Sequence, residues 1–178
     1  MKILSSIQNP ELKKLRLLFQ KARERKKLAL FVIEGKREIQ KAIRGGYSFE
    51  SVFIHEEAIG DFESLLNSVD HLTKYSLEVS LFEKLSIRSG SEKIIAIAQN
   101  KPHDLSQLKL NKNSIVLVIE APEKPGNIGA ILRTADAAHV DAVIIANPKG
   151  DLYNPNIIRS SVGCVFTNQI AQGSTDEI

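Results

Sequence analysis

The sequence predicts an α/β protein built in two parts, and three observations carry that prediction. Short β-branched and apolar runs alternate with stretches of helical period along most of its 178 residues. One such run, Ser114 to Glu120, leads into a glycine-containing turn and a helical stretch, the order in which open parallel sheets place chemistry at the carboxyl ends of their strands. Between the halves lies a polar segment from Asn100 to about Asn113. The expected division is a domain over residues 1–100, a linker over 101–113 and a second domain over 114–178.

In the first domain, Glu11 to Lys27 has the period of a helix, with Leu12, Leu15, Leu18, Phe19 and Ala22 as its apolar stripe. Ala29 to Ile33 reads as a strand, Lys36 to Arg44 as a helix closed by Gly45-Gly46, and Ser51 to Ile54 as a strand. Ala58 to Asn67 and Leu81 to Leu85 read as helices, Leu72 to Tyr75 as a weak strand, Ile94 to Gln99 as a firmer one, and Ser89-Gly90-Ser91 as a turn. Charge collects at the amino end. Met1 to Leu30 holds nine Lys or Arg against Glu11 and Glu24, giving +7 there in a chain of net charge +3. On the first helix and just past it, Lys13, Lys14, Arg16, Lys21, Arg23 and Arg25 would stand on the solvent side, where cations meet phosphates without reading base sequence. A merely solvated face is the commoner outcome of such a run.

In the second domain, the run Ser114 to Glu120 is short enough to be a buried strand. Asn127 is a good N-cap residue, and Ile128 to Ala138 then has helical period, with Ile128, Ile131, Leu132 and Ala135 on the face toward the sheet. Arg133 points the other way. Around it stand Gly129, Ala130 and Ala137, small residues that would leave its guanidinium in a shallow bay open to a bulky ligand. The competing reading pairs Arg133 with Asp136 on an ordinary helix surface. Ala142 to Ile145 is the next strand, and Asn154-Pro155 suits the N-cap and first position of a short helix, Asn156 to Ser160. Gly163 would turn the chain into a third strand, Cys164 to Ile170. Arg159, Ser161 and the backbone beside them could hold a phosphate or sugar, although serines before a glycine are more often helix-end caps.

Taken together, Pro125-Gly126-Asn127-Ile128-Gly129 with Ile131-Leu132-Arg133-Thr134-Ala135-Asp136, and Asn154-Pro155 with Ile157-Ile158-Arg159, Ser161 and Gly163, resemble two motifs of the SpoU/TrmH family of RNA ribose 2′-O-methyltransferases. Looser likeness in Ser6-Ile7-Gln8-Asn9-Pro10 and Phe31-Val32-Ile33-Glu34-Gly35 extends it to the family's N-terminal substrate-binding domain, which has a ribosomal-protein-like RNA-binding fold. The resemblance implies a parallel-sheet SPOUT domain, S-adenosylmethionine as methyl donor, rRNA or tRNA as substrate and a homodimer. It gives Asn127 and Arg133 the catalytic positions, and has Arg159 and Ser161 contact the RNA or hold the loop. The family's two later motifs, a Gly-Asn-Glu loop and a Ser-Leu-Asn segment threading a trefoil knot, do not occur in these residues. Those segments make most of the donor pocket, so the resemblance assigns no donor-binding residue here. It implies the N-terminal half of a knotted domain that is inactive alone and could be monomeric.

Two rivals stand beside this reading. A non-catalytic RNA-binding protein with a vestigial methyltransferase half would bind RNA and no methyl donor. A generic doubly wound nucleotide enzyme would use Gly126 and Gly129 as a phosphate loop, but Pro-Gly-x-x-Gly is not the dinucleotide fingerprint, and neither Glu120 nor Asp141 is placed to hold a ribose. Composition points to a soluble cytoplasmic protein: no apolar run spans a bilayer, and the amino terminus lacks the order of a signal peptide. Cys164 has no partner for a disulfide and reads as a small buried hydrophobe. His55, His71, His103 and His139 show no metal-ligand spacing.

Overall fold

Five strands in the first hundred residues and three in the remainder form two separate sheets in the computed structural model, which describes residues 1–69, 72–86 and 92–178. The chain divides into compact units Met1–Asn100 and Lys101–Ile178. His71 and the turn at Ser89-Gly90-Ser91 lie outside the described residues.

The first unit is a mixed sheet of β1 (Lys2–Leu4), β2 (Leu30–Glu34), β3 (Phe49–His55), β4 (Thr73–Leu77) and β5 (Ile94–Gln99), in the order β1-β4-β3-β5-β2. β1, β4 and β3 run parallel, while β5 lies antiparallel to both β3 and β2. The short edge strand β1 has no period long enough to announce itself in sequence. The helices are α1 (Pro10–Gln20), α2 (Ala22–Leu28), α3 (Lys36–Arg44), α4 (Glu63–Asn67) and α5 (Val79–Leu85). α3 ends at Gly45, and the predicted helix from Ala58 is two 3-10 turns, Glu56–Ala58 and Gly60–Phe62, followed by α4. Leu12, Leu15 and Leu18 of α1 are fully buried and join Leu30, Val32, Phe53, Leu77, Phe82, Ile95 and Ile97 in one cluster. Each such side chain contributes roughly 1.5–3 kcal/mol on leaving water.

The single helix expected over Glu11 to Lys27 is two. Lys21 adopts an extended conformation (φ −123°, ψ 110°) between α1 and α2. The cause is Arg25, which is 3% exposed and turns its guanidinium back onto the end of α1, donating to the carbonyls of Leu18 at 2.6 Å and Phe19 at 3.2 Å. Carbonyls at a helix end lack intrahelical partners, so a buried donor there replaces water. Ala22, expected in the apolar stripe, is exposed after this break.

The second unit is a parallel sheet of β6 (Val116–Glu120), β7 (Ala142–Ala146) and β8 (Ile170–Gly173) in that order. α6 (Pro125–Ala137) connects β6 to β7, and α7 (Pro155–Ser160) precedes β8. β7 has neighbours on both sides and all five of its residues are buried. β6 is an edge, and its predicted burial does not hold: Val118 is 48% and the adjoining Ile115 64% exposed. β8 begins at Ile170, since Cys164–Phe166 forms a 3-10 turn, and Cys164 is buried there with its thiol against Asp136. The expected linker is tied to this unit: Asp104 bridges Gln172, and His103 and Lys101 reach Tyr153.

Candidate active site

The carboxyl ends of β6, β7 and β8 lie side by side, and the chain leaves two of them through the same strained turn. Ala121 (φ 43°) follows β6 and Asn147 (φ 47°) follows β7, both left-handed, a region that residues other than glycine rarely enter. The Ala121 N–H donates to the Ala146 carbonyl and the Asn147 N–H to the Gly173 carbonyl, each at 2.8 Å, so each turn is held by the neighbouring strand. Three side chains join at this edge. The Asn147 amide nitrogen donates to Glu120 Oε1 at 2.7 Å and to Thr175 Oγ1 at 2.6 Å, and the Thr175 hydroxyl donates to Glu120 Oε2 at 3.0 Å. The Asn147 hydrogen bond first, and the Thr175 one after it, hold the Glu120 carboxyl below its usual range. Beside this group, Asn147, Pro148, Lys149, Gln172, Gly173 and Ser174 line an open cleft of about 440 Å³. Sequence reasoning did not single out this group. The signal available was one polar residue at the end of each strand or just past it.

α6 begins three residues earlier than the N-cap assignment of Asn127 required. Pro125, with its fixed φ and missing N–H, suits the first helical position; Lys124 is the N-cap, and Asn127 stands exposed within the first turn. Arg133 is exposed, and it makes no hydrogen bond or ion pair among the described residues. The competing pairing with Asp136 does not form. Asp136 instead accepts from the Cys164 thiol at 3.4 Å and the Thr167 hydroxyl at 3.2 Å, tying α6 to the turn after α7. Ala130 and Ala137 are exposed on the side of Arg133, but Gly129 is buried and does not belong to the bay. A Cβ on Gly129 would lie 2.7 Å from the Ser161 backbone nitrogen and 2.8 Å from Ser160 Cβ, with Ser160 Oγ closer still. The glycine lets α7 approach the helix backbone directly. Ile131 is half-buried rather than part of the fully covered face.

The second motif divides in the same way. Asn154 caps α7, its side chain accepting from the Asn156 N–H at 2.9 Å. Arg159 is exposed, with no side-chain hydrogen bond or ion pair among the described residues. Ser161 is fully buried, donating to the Ile158 carbonyl at 3.1 Å and accepting from the Val165 N–H at 3.4 Å. It holds the loop before Gly163 (φ 75°) and offers RNA no surface, so of its two expected tasks the loop is the one it performs and the expected RNA contact is corrected.

Among the amino-terminal cations, Lys13, Arg16, Lys21 and Arg23 are exposed. Lys14 is half-buried between Glu11 and Glu50: burial works against its ammonium, but the hydrogen bond and charge of Glu50, reinforced by Glu11, leave its pKa above the ordinary value. Arg25, buried on α1's end, is withdrawn from the cationic face. Among the described residues no cluster of His, Cys, Asp or Glu could hold a metal ion, and no helix is long and apolar enough to cross a membrane.

Comparison with known proteins matches residues 114–177 to the SpoU rRNA Methylase family and residues 9–96 to the MRM3-like substrate binding domain. The chain is 29% identical over 168 residues to the Bacillus subtilis 23S rRNA (guanosine(2553)-2′-O)-methyltransferase RlmP, covering 93% of this chain and 63% of that protein. It is 26% identical over 140 residues to a Streptomyces viridochromogenes 23S rRNA (uridine(2479)-2′-O)-methyltransferase, covering 77% of this chain and 48% of that one. The chain thus spans about half to two thirds of these relatives. Among solved structures, an RNA 2′-O ribose methyltransferase superposes with a TM-score of 0.81 at 33% identity, over 98% of this chain and 67% of the other. The AdoMet-bound rRNA methyltransferase from Sinorhizobium meliloti shares the fold with a TM-score of 0.86 at 21% identity, over 99% of this chain and 66% of the other.

Proposed function

We propose that this chain, which belongs to the SpoU/TrmH family of RNA ribose 2′-O-methyltransferases, serves the transfer of a methyl group to a ribose 2′-hydroxyl of ribosomal or transfer RNA, with S-adenosylmethionine as donor. The observation that carries the reading is Arg133: a guanidinium on the outward side of α6, exposed and without a hydrogen bond or ion pair among the described residues. Exposed arginines at such spacing commonly take an ion pair, and the nearest carboxylate on the helix, Asp136, is committed elsewhere.

Such a transfer needs the ribose oxygen in line with the methyl carbon and needs the hydroxyl proton to leave. A guanidinium stays protonated in water and is a poor base. Arg133 therefore acts by holding the adjoining phosphate and stabilising the forming alkoxide, a contribution typically worth about 10²–10³ in rate. Asn127, exposed six residues earlier on α6, orients Arg133 or the ribose, and Arg159 contacts the RNA backbone. Lys13, Arg16, Lys21 and Arg23 give the first unit its phosphate-binding face.

When bound, S-adenosylmethionine supplies an electrophilic methyl group and a neutral thioether leaving group. The homodimer expected of the family is part of the same proposal.

Incubation with S-[methyl-³H]adenosylmethionine and unmodified ribosomal RNA tests it. These 178 residues alone are expected to be inactive; in a full-length enzyme containing them the wild type is expected to label ribose, and Arg133→Ala to lose labelling by about 10² or more while RNA affinity stays within about twofold. Near-normal labelling by Arg133→Ala removes the assignment. RNA binding by the full-length wild type, with neither donor binding nor labelling, establishes the non-catalytic reading instead.

A further inference from the structure

In the first unit, α3 offers polar groups that the cationic face of α1 does not use. Lys36, Gln40 and Arg44 stand four residues apart along it, so they form one stripe whose ends lie about 12 Å apart along the helix axis. All three are exposed, and facing them are Ser64 of α4 and Ser68 at its end, again four residues apart. Between the two rows runs a groove of about 300 Å³, lined on its apolar side by half-buried Ile43 and buried Leu65. At one end the Lys36 ammonium donates to the Asp61 main-chain carbonyl at 3.0 Å and lies 5.5 Å from the centre of the Phe62 ring. The lysine is thereby held on the backbone, and the exposed Asp61 carboxylate, which also lines the groove, makes no ion pair among the described residues. At the other end neither Arg44 nor Gln40 has a side-chain hydrogen bond or ion pair among the described residues. Ser68 gives its proton to the Leu65 carbonyl at 2.7 Å, so toward the groove its oxygen accepts.

We infer that this groove takes one unstacked nucleotide of an RNA strand, its phosphate on Arg44 and a base with an exocyclic amino group against the Asp61 carboxylate. A carboxylate only accepts, so it pairs with the amino edge of cytosine, adenine or guanine and is repelled by the two carbonyl oxygens that flank the N–H of uracil. Gln40, midway between the ends, meets a donor or an acceptor on the sugar, and Ile43 with Leu65 gives the base an apolar wall in place of its stacked neighbours. A lone phosphate would occupy only the Arg44 end and share the groove with an opposing carboxylate. At about 300 Å³ the space lies at the small end of ligand pockets, the size of one nucleotide and too narrow for a duplex. The inference rests on the RNA reading given above and deepens it: the cations of α1 meet phosphates without reading sequence, whereas this groove reads a base.

The test uses the whole chain with single-stranded oligocytidylate and oligouridylate of about ten nucleotides. The wild type is expected to bind oligocytidylate about tenfold more tightly, and in ¹H–¹⁵N spectra that ligand is expected to shift the Gln40 side-chain amide and the Arg44 Nε–H signals. Asp61→Asn should bring the two affinities together, because an amide turns either edge to the base. Arg44→Ala should weaken both about tenfold and reduce the slope of log K against log salt by about 0.7, with the melting temperature unchanged. Equal wild-type affinities overturn the proposal, as do Gln40 and Arg44 signals that do not move, or a preference that survives in Asp61→Asn. Cytidine 5′-monophosphate binding as tightly as oligocytidylate overturns the RNA strand as occupant and assigns the groove to a free nucleotide. Binding of folded ribosomal RNA without binding of either oligonucleotide refutes the groove and leaves the RNA reading standing; binding of none of them refutes both.

Discussion

Arg25 and Arg133 look alike in sequence, each an arginine in a helix with small or basic neighbours, and they end in opposite states. Arg25 is 3% exposed and donates through Nη1 to the carbonyls that close α1, whereas Arg133 is exposed and donates to none among the described residues. The first is held because α1 ends at Gln20 and leaves carbonyls that need a donor. The second is left free because Cys164 and Thr167 have taken the carboxylate that would have paired with it. An arginine buried against helix-end carbonyls serves the fold; one that the described residues leave uncommitted is available to a ligand.

The comparison breaks most visibly at Arg133. Arg133→Ala should leave unfolding free energy within about 0.5 kcal/mol of wild type while removing the transfer activity described above; a clear loss of stability by denaturant titration would show that the guanidinium is structural after all. Arg25→Ala should do the reverse, costing about 1–3 kcal/mol because two helix-end carbonyls lose their buried donor, with RNA affinity little changed. Equal effects of the two substitutions on RNA binding would erase the distinction.

Gly129→Ala sharpens the same point inside the first motif. The added methyl must push α7 away, since the obstructing Ser161 nitrogen is backbone, and the expected net cost is about 1–2 kcal/mol after the usual helical gain of alanine over glycine. Thermal melts of Gly129→Ala combined with Ser160→Gly should recover only part of that loss, the part due to the Ser160 side chain.

The smallest effect concerns pH. His103 Nδ1 lies 3.0 Å from the Ile170 carbonyl and so carries the hydrogen, which leaves Nε2 to accept from the Tyr153 hydroxyl at 2.8 Å. Burial is the main reason that its pKa lies below the ordinary histidine value, with Lys101 adding to the effect, Asp104 opposing it and the Ile170 hydrogen bond opposing only in part. A base whose folded pKa is lowered binds fewer protons folded than unfolded, so its contribution is complete above the unfolded value of about 6.5 and is lost as the pH falls below it. Stability measured by denaturant titration should decline from pH 7 toward pH 5 in wild type and decline less steeply in His103→Asn; the opposite slope difference would show that the imidazole is charged in the folded protein.

Much of this was legible in the residues. Lys36–Arg44 closes at Gly45-Gly46, Ile94–Gln99 is a strand, and Asn154-Pro155 opens α7, because caps, breakers and β-branched runs act within a few residues. Asn127 went astray through the same local logic, since Pro125 competes for the helix start and prevails. The break at Lys21, the burial of Ser161 and the real task of Gly129 were not legible, because each depends on what arrives from another element: the end of α1, the turn after α7, and α7 itself.

By itself the sequence determined the α/β class, the two motifs and the arginine at the centre of the proposed chemistry, because these follow from periodicity and from residue types at fixed spacing. Only the tertiary structure decided which motif residues are chemical and which are mechanical. It also brought Glu120, Asn147 and Thr175, distant in the chain, together at neighbouring strand ends. Parallel pairing causes that gathering: strands aligned in one direction deliver their carboxyl ends to one edge, whatever the length of chain between them.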